Sequence, residues 1–229
     1  MDIISQILQA IGYILLLVVL VLLWRKTFRQ SEFRHLWGLL ALAWTMNLLG
    51  NIAWFVHELV TGTELDSLSV VDLFYVLRYV LLGCVLWLYP APLYRRAWFW
   101  IGGAMLAVNV VARVVYFNPA MALMGGDWTD FLGLIMYLVL DAGIVALAWL
   151  RVRATRGSAW GRYALLLFCS MASYGIANTI NLTEYIFSLV SGGILQNVFW
   201  ILTDVFLLVL VLGSDLQKEK NKSWMRNEE

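Results

Sequence analysis

Arg78 and Asp204 have the most chemistry to explain. Each stands inside a long apolar run, "FYVLRYVLLG" for the first and "NVFWILTDVFLLVLVL" for the second. A charge at the centre of a bilayer costs on the order of 3 kcal/mol on insertion scales, so it faces an interior and finds a partner there. Asp141, in "YLVLDAGIV", is a second acid of the same kind. Arg78 therefore has two candidate partners, Asp204 and Asp141, and either pair could form a charged floor or simply lock a bundle.

Polar residues gather around these three at helical spacing. At 100° per residue, Asp72, Tyr75, Arg78 and Tyr79 share one face, and Asn197, Trp200, Thr203 and Asp204 share another. Asn47, Asn51, Trp54 and Glu58 form a third face, with His57 beside it. Ser170, Tyr174, Asn178 and Asn181 form a fourth, and Asn109 and Arg113 are one turn apart. These residues can bind by hydrogen bond, ring and charge. The plain alternative for each set is structural: Asn and Ser glue helices together, Asp72 caps a helix after "SLS", and His57 and Glu58 are hydrated at an interface.

Other chemistry finds no support. Retinal as a Schiff base needs a lysine within a span, and here Lys26 falls in the loop predicted after the first span while the other three lysines lie beyond Gly213. Haem has only His35 and His57, at opposite ends of their segment. Cys84 and Cys169 lie in apolar sequence, without metal-ligand spacing. No P-loop, nucleophile elbow or HExxH stands in the chain. We expect no enzyme, no metal and no resident cofactor, with a non-covalently held lipid, quinone or pigment left open.

The elements that must position these residues are membrane spans. The 229 residues are 62% hydrophobic and 14% charged, with mean hydropathy +0.79. A soluble domain has about twice that share of charge. The net charge of +1 excludes the basic surface that a nucleic-acid partner requires. Seven stretches reach the roughly 20 apolar residues that cross a bilayer: 3–24, 36–60, 68–90, 97–117, 129–150, 161–187 and 193–213. The first has its basic residues after it and no small-residue cleavage site, so it reads as a retained span. Residues 214–229 form a basic tail.

Fourteen of the 16 Lys and Arg fall after spans one, three, five and seven, and the opposite loops, with Glu64 and Asp66, have none. The positive-inside rule then predicts an inner-membrane protein with the N-terminus out and the C-terminus cytoplasmic. Arg78 and Arg113 are the two basic residues left within spans. In this orientation most interior polar groups lie in the outer half, which implies an outward cavity above a dry inner half.

The chain also matches itself at an offset of 125 residues. "GNIAW" falls on "GIANT", and "DLFYVLRYVLL" falls on "NVFWILTDVFL". Spans one to three then correspond to five to seven, with span four between them. This predicts an all-α seven-helix bundle built as a three-one-three parallel repeat.

Residues 36–90 resemble the multi-span sensory membrane domain at the N-terminus of bacterial diguanylate cyclases and phosphodiesterases. Trp54, Glu58-Leu59, Gly62, Ser69, Asp72, Phe74-Tyr75 and Tyr79 carry the resemblance. It departs at Tyr79-Val80, where the family has Tyr-Pro, and in the absence of a catalytic domain after Gly213. The resemblance implies a sensor that signals through a membrane or cytoplasmic protein partner. Together these readings predict a small ligand, from the outer side or the membrane, held by Asn51, Trp54, His57, Glu58, Asp72, Tyr75, Arg78, Tyr79, Asn178, Asn181, Trp200 and Asp204. Two other classes stay open: a structural subunit of a larger membrane complex, and a small-solute carrier.

Overall fold

The computed structural model describes residues 3–29, 33–62, 68–90, 93, 96–123, 128–158, 160–187 and 193–226; the side chains of 129, 130, 134 and 215–226 stand outside that description. Glu64, Asp66 and Arg95 also lie outside the described residues. All regular structure among the described residues is helical: α1 Ile3–Arg29, α2 Arg34–Thr61, α3 Asp72–Trp87, α4 Ala97–Leu123, α5 Trp128–Ala154, α6 Gly161–Phe187 and α7 Ile194–Arg226. Six are long and apolar enough to cross a membrane. The reason is that a backbone in hydrocarbon must satisfy its own hydrogen bonds, and a helix does so locally.

α3 is the exception. It has 16 residues, against the longer span expected at 68–90. Both ends have a local cause. Leu68 takes a left-handed φ of 67°, and the next residues form a capping box. In it, Ser69 Oγ accepts the Val71 N–H at 3.2 Å, and Asp72 Oδ2 accepts the Ser69 N–H at 2.6 Å. At the far end the chain bends before Pro90. α2 ends at Gly62, whose φ of 66° suits the left-handed cap and whose N–H donates to the Glu58 carbonyl. α4 runs on through Pro119, beyond the boundary expected at 117. α7 likewise continues to Arg226, so much of the tail is helical backbone.

The helices pack as a ring. α1 touches α2, α2 touches α3, α3 touches α5, α5 touches α6, α6 touches α7, and α7 returns to α1. α4 stands outside and packs on α5 and α6. Its seam is Ala112, Tyr116 and Ala120 against Phe131, Ile135, Leu138, Leu182 and Ile186. Exchanging α1, α2 and α3 with α5, α6 and α7 maps this set of ring neighbours onto itself. Individual bonds follow the same exchange. Lys26 Nζ donates to the Val211 carbonyl at 3.1 Å, and Arg151 Nε donates to the Leu86 carbonyl at 2.5 Å. Lys26 and Arg151 are 125 positions apart, as are Leu86 and Val211.

The two halves of the ring differ in polarity. The main core joins Val19 and Leu23 of α1, Leu40 and Trp44 of α2, Leu82 and Val85 of α3, Leu167 and Met171 of α6, and Leu207 and Val211 of α7. It lies toward the ends of α1 and α3 and around the middle of α7, at the level of Lys26 and Arg151. The opposite half holds the cavity described next.

Candidate functional site

A partly open cavity of about 660 Å³ occupies the other half of the ring. Ser5, Gln9 and Tyr13 of α1 line it, with Asn47, Asn51 and Trp54 of α2, Asp72, Tyr75 and Arg78 of α3, and Tyr137 of α5. α6 contributes Tyr174, Asn178 and Asn181, and α7 contributes Asn197, Trp200, Thr203 and Asp204. All six ring helices take part and α4 does not.

The wall is built from hydrogen bonds between neighbouring helices. Tyr75 donates to Asn51 Oδ1 at 2.8 Å, joining α3 to α2. Gly50 makes that approach possible, because a Cβ there would stand 2.8 Å from the Tyr75 ring. Asp72 has two tasks. One oxygen completes the capping box, and the other accepts a short hydrogen bond from Tyr137 of α5. Its counterpart in the exchange, Asn197, also reaches a neighbouring helix and donates to Ser5 Oγ at 3.0 Å.

Arg78 lies at the floor, 1% exposed. Its guanidinium carbon is 3.5 Å from the Tyr174 ring centroid and 5.1 Å from that of Trp44, so the charge rests on aromatic faces. The ion pair expected with Asp204 or Asp141 is not formed among the described residues, and Arg78 Nε and Nη1 are buried without a hydrogen-bond partner. Neutral donors hold the acids instead. Trp44 Nε1 donates to Asp204 Oδ1 at 3.0 Å. Tyr79 donates to Asp141 Oδ1 at 2.8 Å, and Asn178 Nδ2 donates to Asp141 Oδ2 at 2.8 Å. One further lining group is buried without a partner, Trp200 Nε1.

The cavity brings together Asn51, Trp54, Asp72, Tyr75, Arg78, Asn178, Asn181, Trp200 and Asp204 of the expected set. It does not include His57, Glu58, Tyr79 or Asp141. α2 runs on past Trp54, so Glu58 is exposed above the rim and His57 is only partly buried. Tyr79 is about 100° around α3 from Arg78 and turns to α5, where it closes the wall with Asp141. Arg113 and Asn109 are joined by a bond of 2.9 Å, but α4 places them outside the ring. Cys84 and Cys169 are free thiols.

Sequence reasoning missed Tyr137, Trp44 and the α1 face of Ser5, Gln9 and Tyr13 as site residues. Two had a signal. Tyr137 is one turn from Asp141, and Trp44 continues the α2 face of Asn47, Asn51 and Trp54. The α1 face has no charge to mark it.

Compared with known proteins, the chain matches no family model, no curated protein and no solved structure.

Proposed function

We propose that this chain is a seven-span membrane sensor, with its N-terminus outside and its C-terminus cytoplasmic, that takes a small ligand into the polar half of the ring and signals through a protein partner. One observation carries the reading: a cavity of about 660 Å³, lined by all six ring helices, ends on a buried arginine that has no ion-pair partner among the described residues. A cavity of this size lies within the range of small-molecule sites. A ligand that met the Arg78 floor would touch α2, α3, α6 and α7 together and bias how they pack. The basic residues at the dry end support the orientation, as does the resemblance of residues 36–90 to a sensory membrane domain. The exchange of α1–α3 with α5–α7 supports a three-one-three repeat. No covalent step is part of this reading.

The test is affinity purification from native membranes, with mass spectrometry of retained small molecules and partners. The expected result is a discrete small molecule on the wild type, absent from a folded Arg78→Gln variant, and a substoichiometric signalling partner. Stoichiometric recovery with a large complex, and no dependence on Arg78, would instead make the chain a structural subunit.

A further inference from the structure

We infer that the cavity takes a flat, conjugated, electrically neutral molecule that presents carbonyl oxygens to the floor. The inference rests on the reading of the cavity as a ligand site and names the chemical class.

Three observations converge. First, the buried unpartnered groups among the described residues are Arg78 Nε, Arg78 Nη1 and Trp200 Nε1. All are donors, and each leaves a desolvated N–H that only an acceptor can satisfy. Arg78 and Trp200 both line the cavity, so the end of the ligand that reaches these closed-over N–H groups is an acceptor. A cationic group has nothing to give these N–H groups.

Second, the charges oppose an anion. Two acids stand in this half of the ring, Asp204 on the wall and held by Trp44, and Asp141 behind the wall and held by Tyr79 and Asn178. A carboxylate or phosphate ligand would bring negative charge beside these two carboxyl groups, inside a medium that screens poorly. A carbonyl oxygen accepts the same hydrogen bonds without that repulsion.

Third, the walls are aromatic. Trp54, Tyr75, Tyr137 and Trp200 line the cavity, and Tyr174 and Trp44 pack against Arg78 at its floor. Rings in offset or edge-on contact favour a planar, unsaturated body.

Three probes with one ring system separate these terms: fluorenone, a neutral carbonyl; fluorene, with no acceptor; and fluorene-2-carboxylate, an anion. Calorimetry and thermal shift on the full chain in detergent would rank them. Fluorenone is expected to bind at least about tenfold more tightly than either of the others, the worth of one or two buried hydrogen bonds. Trp200→Phe keeps an aromatic ring and removes a donor, so it should weaken fluorenone about tenfold and leave fluorene unchanged. The wild-type ranking needs no variant to fold. Tightest binding of the carboxylate would overturn the assignment in favour of an anion site. Equal binding of fluorene and fluorenone would overturn the role of the floor. Binding of none would overturn the class, and the retained-molecule mass spectrum would still decide whether the cavity is a ligand site.

Discussion

Gly50 lacks a side chain where the ring of Tyr75 needs the space. A methyl group there would come within 2.8 Å of two ring carbons, and an aromatic ring wedged between helices cannot yield as a flexible chain end would. Gly50→Ala should therefore displace Tyr75, break its bond to Asn51 and destabilise the protein by about 1–3 kcal/mol. The check is thermal unfolding in detergent, and Gly50→Ala with Tyr75→Phe should remain low while Gly50→Ala with Tyr75→Leu recovers. Arg78 carries the other prediction at this scale. Its buried charge is held by aromatic faces rather than by an acid. Arg78→Lys retains the charge but loses the planar guanidinium that stacks on Tyr174. Ligand retention should fall at least tenfold for Arg78→Lys, as for Arg78→Gln, in the same mass-spectrometric assay. Retention by Arg78→Lys at the wild-type level would mean that charge alone matters.

At the scale of elements, α3 is held at both ends by hydrogen bonds. The Ser69–Asp72 box starts it, and Arg151 of α5 ends it by donating to the Leu86 and Trp87 carbonyls at 2.5 and 2.6 Å. These carbonyls belong to the last turn, where no intrahelical donor is left. Ser69→Ala should lower stability by about 1 kcal/mol, the usual loss for a helix cap. Arg151→Met should cost more, about 2 kcal/mol, because it strips charged hydrogen bonds from buried carbonyls. Lys26→Met tests the equivalent bond between α1 and α7, and its midpoint of unfolding should fall less, since Lys26 offers a single ammonium rather than a fork. The early end of α3 was not legible in the sequence. Its start had a signal in Asp72 after "SLS", but its apolar pattern runs on to Tyr89, and only the bend before Pro90 cuts it back at that end.

For the whole molecule, the arrangement of helices decides which polar residues can meet. The helical faces were legible, because periodicity alone assigns them. Their neighbours were not. Asn109 and Arg113 have the same kind of spacing as the ring residues, yet α4 packs outside and carries them away from the cavity. A corresponding prediction is that Arg113→Leu leaves ligand retention unchanged, measured beside Arg78→Gln. Orientation has its own test. With Cys84 and Cys169 replaced, a single cysteine at Gly62 should react with an impermeant maleimide from outside intact cells. One at Ser158 should react only after the membrane is opened, and the reverse pattern would invert the topology.

The sequence by itself determined that the chain is helical and suited to a membrane, that its polar and dry halves separate, and that Arg78 and Asp204 belong to one interior. These follow from composition and from the helical period, which are local properties. The tertiary structure alone decided that Arg78 meets rings instead of an acid, that Asp141 is closed off by Tyr79 and Asn178, and that α1 supplies a wall. Each depends on which helices are adjacent and how far they are turned, and periodicity within one helix contains no information about either.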